Sequence, residues 1–523
     1  MIRIEVFPCQ TTGLATRLGQ ILAQHKGGFL TVFGNANRAF ANRLRAIFPQ
    51  GLGLSVDVYS PDLIELVGCL ANRRLLPGYL EIFKASTSAL TFIRQHLSGI
   101  ALSYHGEGLW VTQPESHDHP TFDSAAAEAA AHLNVLQSPW LNHECATKQM
   151  AGYSFGTYLP PLFTPVSAEV VAQNIIVVQA ALDVRCRRPD GSTPLFLLEM
   201  PPLTYFAAGT IPITQFFRLI TERVPCGLVL DIGHLWTVYR YTGMWRRMSL
   251  AQFVQEFLDE FPMDRVVEIH VAGLAAHEAI HTREIDSKLP EWLDAHAAPI
   301  PPVLFEMLEQ VLAHRTLTSL KGVALEVDTK PIDVIVDEFE QASRQFTPLI
   351  QEAMVRGITM NLLSEQSPYG GYRSSIVSQF DRNQLCSDYE QYAKVVSGLA
   401  LPLGDEWKAA AHDIEGLERY RTSYLPYEIL EWGGALTDMF SETCRGLRQR
   451  GIELEDFIAF WFREPRPITQ AYDFFLLKIE RFVEFVRERA PGLTACAEQE
   501  AARLRTAYAD ANEPVAPISR SAG

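Results

Sequence analysis

Between about residues 51 and 355, short runs of apolar and β-branched residues alternate with longer stretches of helical period. Runs of five or six residues suit strands, and strands that alternate with helices imply parallel pairing through helical crossovers. Eight runs qualify: 53–58, 78–83, 100–105, 139–143, 194–199, 226–231, 265–270 and 322–326. Eight parallel strands close on themselves, so the pattern predicts an α/β protein built on a (β/α)8 TIM barrel over residues 51–360.

The flanks carry other patterns. Residues 1–50 read as a short α/β extension: strand IRIEVF, a helix over 14–25, strand FLTVF and a helix over 39–47. After a helix containing 334–354, the segment LLSEQSPYGGYRSS loses any period and reads as an interdomain connection. Residues 375–510 have helical pattern throughout and predict an all-α C-terminal domain. Its clearest stripe is Tyr472, Phe475, Leu476, Ile479, Phe482, Val483 and Val486, with Lys478, Glu480, Arg481 and Glu484 off it. The tail 511–523 is expected to be disordered.

Composition narrows the function classes. With 47% hydrophobic and 20% charged residues the chain has the make-up of a folded protein, and a net charge of −16 disfavours phosphate backbones and anionic lipid. Neither nucleic acid nor membrane is an expected partner. The start MIRIEVFPCQ lacks a basic segment followed by an apolar stretch, and no window approaches the ~18 uninterrupted apolar residues of a span. The expected location is the cytoplasm. Eight cysteines contain no C-x-x-C pair, so they read as reduced, structural thiols.

In a (β/α)8 barrel the reacting groups sit at the carboxyl ends of the strands. Read in order, those ends carry Asp57, Glu81, His105, His143 with Glu144, Glu199, Asp231 with His234, His270, and Glu326 with Asp328. One such residue means little, since it can cap a helix or face solvent. A series on consecutive strands would crowd carboxylates and imidazoles into one mouth, where protons or metal ions must compensate. Mixed nitrogen and oxygen donors without thiolate suit Fe, Mn or Zn, and their number exceeds what one ion needs. His117, His119, His277 and His281 fall in polar loops and read as solvated. Asp328 reads as a second-layer partner or an ion pair with Lys330, and Trp110, Trp236 and Tyr104 as groove lining or packing.

His105 in SYHGEGL, His143 in LNHE, Glu199 in LLEMPP, Asp231 in LVLDIGH, His270 in EIHVAG, Asp294 and His296 in the loop DAHAAP, and Glu326 in ALEVD form an ordered set. It resembles that of the multinuclear non-heme iron-dependent oxidative enzymes, the family of the methanobactin-forming oxazolone and thioamide synthase. The resemblance covers about residues 51–345. It implies metal ligands His105, His143, Glu199, Asp231, His270, Asp294, His296 and Glu326, with His234 an added candidate three residues past Asp231. It also implies two or three irons of mixed Fe(II)/Fe(III) state, dioxygen as cosubstrate, and a cysteine-containing, ribosomally made precursor peptide as substrate. Glu199, Asp231 and His270 would stand at the reacting centre, with Glu199 or Asp231 as bridges. Departures are Phe83 and Leu274 where the family has histidines, Ala297 for an acid, Met200 for asparagine, and Gly233-His234 for Asn-Asn.

The leading expectation is therefore an iron oxygenase or oxidase of a peptide, its helical C-terminal domain recruiting the leader or a partner protein, or replacing a separate recognition protein. The alternatives are a redox-neutral metal-dependent isomerase or hydrolase on the same xylose-isomerase-like barrel, and a noncatalytic peptide-binding protein.

Overall fold

The computed structural model describes residues 36–116, 121–203, 206–276, 292–363, 377–400, 414–466 and 473–512. The expected strands of the N-terminal extension, its first helix, His117, His119, His277, His281 and the C-terminal tail from 513 on lie outside them, while residues 511 and 512, expected in that tail, end the last helix.

A closed parallel barrel forms from β1 (Gly51–Val56), β2 (Tyr79–Phe83), β3 (Ala101–His105), β4 (Trp140–Glu144), β5 (Leu195–Glu199), β6 (Gly227–Asp231), β7 (Val266–Val271) and β8 (Gly322–Glu326), paired in sequence order. Closure runs from Gly51 opposite Gly322 to Ser55 opposite Glu326. The fold class read from the sequence is the one observed. β1 starts two residues earlier than its pattern suggests, and β4 runs one residue later, to Glu144. That single residue matters at the site.

Because side chains alternate across a strand, each barrel strand feeds two cores. Outward residues such as Leu54, Phe196, Leu198 and Leu230 pack under the surrounding helices. Inward residues Tyr79, Trp140, Leu195, Leu197, Val229, Val267 and Ala324 fill the barrel floor, closed from below by Phe40, Leu44 and Ile47 of the helix Ala36–Arg45 and the turn after it. A Cβ at Gly53 would come 2.5 Å from the Tyr79 ring and one at Gly322 2.6 Å from its hydroxyl, so the two glycines make room for this plug. The floor is packed with apolar side chains, and polar groups are displaced toward the strands' carboxyl ends.

After β4 the chain makes a hairpin, Thr147–Met150 with Tyr153–Leu159, that sequence pattern does not reveal. Its two-residue turn, Ala151 (φ 50°) and Gly152 (φ 82°), has the left-handed pair that matches strand twist. The helix Pro165–Arg185 is long and apolar enough to cross a membrane by composition, but it belongs to the barrel's outer ring.

The C-terminal region is helical, from Gln379–Val396 to Thr494–Asn512, and it docks on the barrel. Tyr389 accepts from the Leu162 amide at 3.2 Å, Tyr392 donates to the Pro160 carbonyl at 3.2 Å, and the Trp461 indole donates to the Ser154 carbonyl of the hairpin at 2.8 Å. In the helix Phe474–Arg489 the stripe Ile479, Phe482, Val483 and Val486 is buried as its period predicts, while Tyr472 lies outside the described residues. Lys478 and Arg481, expected off the stripe, are buried too. Lys478 donates to the Trp432 and Gly434 carbonyls, and Arg481 lies over the Trp461 ring and donates from Nη2 to the Trp461 carbonyl, so each charged head finds a partner as its stem packs.

Candidate metal centre

Strand parity selects which residues reach the barrel mouth. Counting up by twos from the floor gives Glu81 above Tyr79, Asn142 and Glu144 above Trp140, Glu199 above Leu197, Asp231 above Val229, and Glu326 above Ala324. His105 and His270 join them from β3 and β7, and His234 enters from the first turn of the helix Ile232–Tyr241. Asp231 caps that helix, accepting from the His234 amide at 2.6 Å, so one carboxylate both starts the helix and faces the mouth.

Glu199 is the hub. Its Oε2 lies 3.2 Å from His105 Nε2 and accepts from Asn142 Nδ2 at 2.6 Å. Its Oε1 lies 3.3 Å from His270 Nδ1 and 3.8 Å from His234 Nδ1. His270 Nδ1 is also 3.2 Å from Glu326 Oε1, and its Nε2 faces the deeper Glu81 at 3.1 Å and Glu268 at 3.7 Å. His296 stands at the rim, 3.4 Å from Glu326, with its Nδ1 on Asp328 at 3.0 Å. Donor atoms gather within 4.8 Å in four overlapping sets: Glu81, Glu268, His270; His105, Glu144, Glu199; Glu199, Asp231, His234; and Asp231, His270, Glu326. Glu199 and Asp231, the expected bridges, each belong to two.

Six carboxylates and three imidazoles in these sets are all buried. Burial works against charge on His105, but Glu199, then Glu81, outweigh it and lift the ring to about 9. Burial also opposes charge on His270, and Glu199, Glu326 and Glu81 raise it well above the ordinary value. Burial raises Glu199, yet His270 and His105 hold it well below the carboxylate range. Burial and the charge of Glu199 push Glu144 well up, while burial and Glu81 push Glu268 to about 8. Carboxylates packed this closely need protons or cations. His270 is within 3.3 Å of carboxylate oxygens on both faces, yet neither nitrogen makes a hydrogen bond. An imidazole crowded by carboxylates without hydrogen-bonding them, as His270 is, fits a ligand aimed at shared ions, and the nitrogen–oxygen set suits Fe, Mn or Zn.

Of the residues expected to bind metal, His105, Glu199, Asp231, His234, His270 and Glu326 come together, with His296 at the edge. His143 does not. Its Nε2 accepts from the Leu109 amide at 3.1 Å and its Nδ1 donates to the Glu144 carbonyl at 2.9 Å. Burial, helped by the charge of His105, holds the ring down at about 4 against the Glu144 carbonyl, whose hydrogen bond raises it. The physical reason is parity: β4 ends at Glu144, so His143 points out of the barrel. Asp294, read as a loop residue, ends a short strand, Trp292–Asp294, paired antiparallel with Leu274–Ala276; its side chain lies outside the described residues. Asp328 orients His296, whereas Lys330 pairs with Glu338 at 2.6 Å. Tyr104 faces away from the mouth and bonds His132. Asn142 and Glu268 escape sequence reading, and Glu81 and Glu144 stand out in it only as strand ends; counting by twos reaches Asn142 from Glu144 and Glu81 from Phe83, whereas Glu268 turns inward beside the inward Val267 at a register shift between β6 and β7.

The sequence profile of the RiPP precursor modification enzymes MbnB/TglH/ChrH matches residues 78–347. The chain belongs to this family. A UPF0276 protein of Rhizobium meliloti is 26% identical over 261 residues, 48% of this chain and 74% of the relative. One from Streptomyces avermitilis is 23% identical over 293 residues, 55% of this chain and about half, 52%, of the relative. Among solved structures, endonuclease IV of Thermus thermophilus covers 58% of this chain and 99% of its own at 16% identity and TM-score 0.34. A sugar phosphate isomerase/epimerase of Parabacteroides distasonis covers 58% and 96% at 13% identity and TM-score 0.34. In this RiPP-enzyme chain the profile spans β2 to β8 and stops before the C-terminal helices.

Proposed function

We propose that this chain is an iron-dependent oxidase or oxygenase that uses dioxygen to modify a residue, most simply cysteine, of a ribosomally synthesised precursor peptide. The observation that carries the reading is Glu199: one buried carboxylate whose two oxygens face two different donor groups, His105 on one side and His270 with His234 on the other. A carboxylate so placed is built to bridge. Membership of a precursor-peptide modification family supplies the substrate class.

His105, Glu199, Asp231, His234, His270, Asp294, His296 and Glu326 would hold two or three ions. Iron there supplies both the Lewis acidity that binds a thiolate and the redox capacity to use dioxygen. The chain's own contribution is positional. Asn142 fixes Glu199, the helix cap fixes Asp231, and Asp328 fixes His296, so the donors are oriented before an ion arrives. The packed floor of Tyr79, Trp140 and Leu197 keeps water out from below. The C-terminal helices dock on the hairpin that follows β4, and their part in this reading is to recruit the peptide's leader or a partner protein.

The test is metal analysis with Mössbauer spectroscopy on chain loaded anaerobically with Fe(II), followed by oxygen exposure with a cysteine-containing peptide. Two or three irons per chain and a peptide mass change that requires oxygen are expected. Stoichiometric zinc or manganese with no iron uptake would overturn the reading in favour of a redox-neutral isomerase or hydrolase.

A further inference from the structure

Glu144, like the deeper Glu81 and Glu268, is a buried carboxylate that the metal centre proposed above does not use. It ends β4 opposite Glu199 in strand register, shares the inward parity of Trp140 and Asn142, and is 7% exposed. Its donor atom lies within 4.8 Å of those of both His105 and Glu199, and its Oε2 has no hydrogen-bond partner among the described residues. His105 Nδ1 and Asn142 Oδ1, also buried, are equally without one. Burying an ionisable oxygen with no partner costs several kcal/mol unless something compensates. Beside it, Phe83 packs its ring against His105 at 5.1 Å and brings no donor. His143 has both nitrogens engaged by backbone.

We infer that Glu144, and not His143, is the metal ligand that β4 contributes, closing one ion position with His105 and the near oxygen of Glu199. The inference rests on the metal centre proposed above and adds a donor that changes its chemistry. One imidazole with two carboxylates is an oxygen-rich, hard set that favours Fe or Mn over copper(I) or other soft ions. Asn142 serves this position as an orienting group, through its bond to Glu199 Oε2.

The test compares wild type with Glu144→Gln, Glu144→His and His143→Gln. Each full-length chain is loaded anaerobically with Fe(II) and, separately, with Mn(II). Ions per chain are counted after desalting, and affinity is measured by chelator competition. Glu144→Gln is isosteric, so folding, followed by circular dichroism, is expected to survive; His143→Gln keeps an acceptor for the Leu109 amide. The expected result is one ion fewer, or at least tenfold weaker binding of one ion, in Glu144→Gln. Glu144→His, which restores a donor, recovers the count, and His143→Gln binds as wild type does. Unchanged binding in Glu144→Gln, or loss in His143→Gln instead, overturns the inference. Wild type that loads manganese but not iron defeats the iron reading while the comparison of variants still decides Glu144. Wild type that takes up neither ion overturns both.

Discussion

Glu199 sits where three strands' worth of donors meet, and at the scale of single residues its removal should be disproportionate. Because it belongs to two donor sets, Glu199→Ala is expected to lower bound metal by more than one ion per chain and to abolish turnover, whereas loss of a terminal ligand removes one ion at most. Metal counting on the purified variant checks this. Asp328 acts through His296, and an outer carboxylate of that kind is worth about 10- to 100-fold in metal affinity or activity. Asp328→Asn should fall in that range with the fold unchanged. His143→Leu would strand the Leu109 amide in the interior at a cost of about 1–3 kcal/mol, read by urea denaturation, while the metal count stays the same.

At the scale of elements, strand alternation does most of the sorting. The strand pattern, and with it Glu81, His105, Glu199, Asp231 and Glu326 as inward ends, is legible because a parallel strand announces itself by a short apolar run. His143 is misplaced by sequence because a run buried on both faces does not say which of its last two residues ends it, and one residue of slip turns a side chain through the wall. The hairpin after β4 is hidden because its turn, Ala-Gly, is not among the strong turn pairs. Gly152 there has φ 82°, and a Cβ would stand 2.9 Å from Pro465 Cβ. Gly152→Ala is therefore expected to destabilise the chain by about 1–3 kcal/mol and to loosen the C-terminal helices, as hydrogen exchange in the hairpin would show.

For the molecule as a whole, barrel and C-terminal helices should unfold together, since Tyr389, Tyr392 and Trp461 commit their polar groups to barrel and hairpin backbone. Calorimetry of the full chain is expected to give one transition, and two well-separated ones would contradict the docking. A pH signature comes from Glu428, buried at this junction between Thr157 and Tyr420, where its Oε2 accepts from the Tyr420 hydroxyl at 2.9 Å. Burial lifts it to about 7, only partly offset by those hydrogen bonds. A carboxyl raised in the folded state stabilises most when protonated. Its contribution is full below the unfolded value near 4.5 and is lost as pH rises through about 7, on the order of 3 kcal/mol. The thermal midpoint of wild type should therefore carry a falling component between about pH 5 and 8, and Glu428→Gln should remove it.

The amino-acid sequence alone determined the parallel barrel, the order of acids and histidines along its strand ends and the family they resemble, because period and motif are local properties of a chain. Only the tertiary structure decided that His143 faces the wall and Glu144 the mouth, that Glu81 and Glu268 lie beneath His270, and that Lys478 and Arg481 are buried. Each of those outcomes depends on where a strand ends in register with its neighbours or on which carbonyl a distant segment presents. Such pairings join residues far apart in sequence, and no local pattern encodes them.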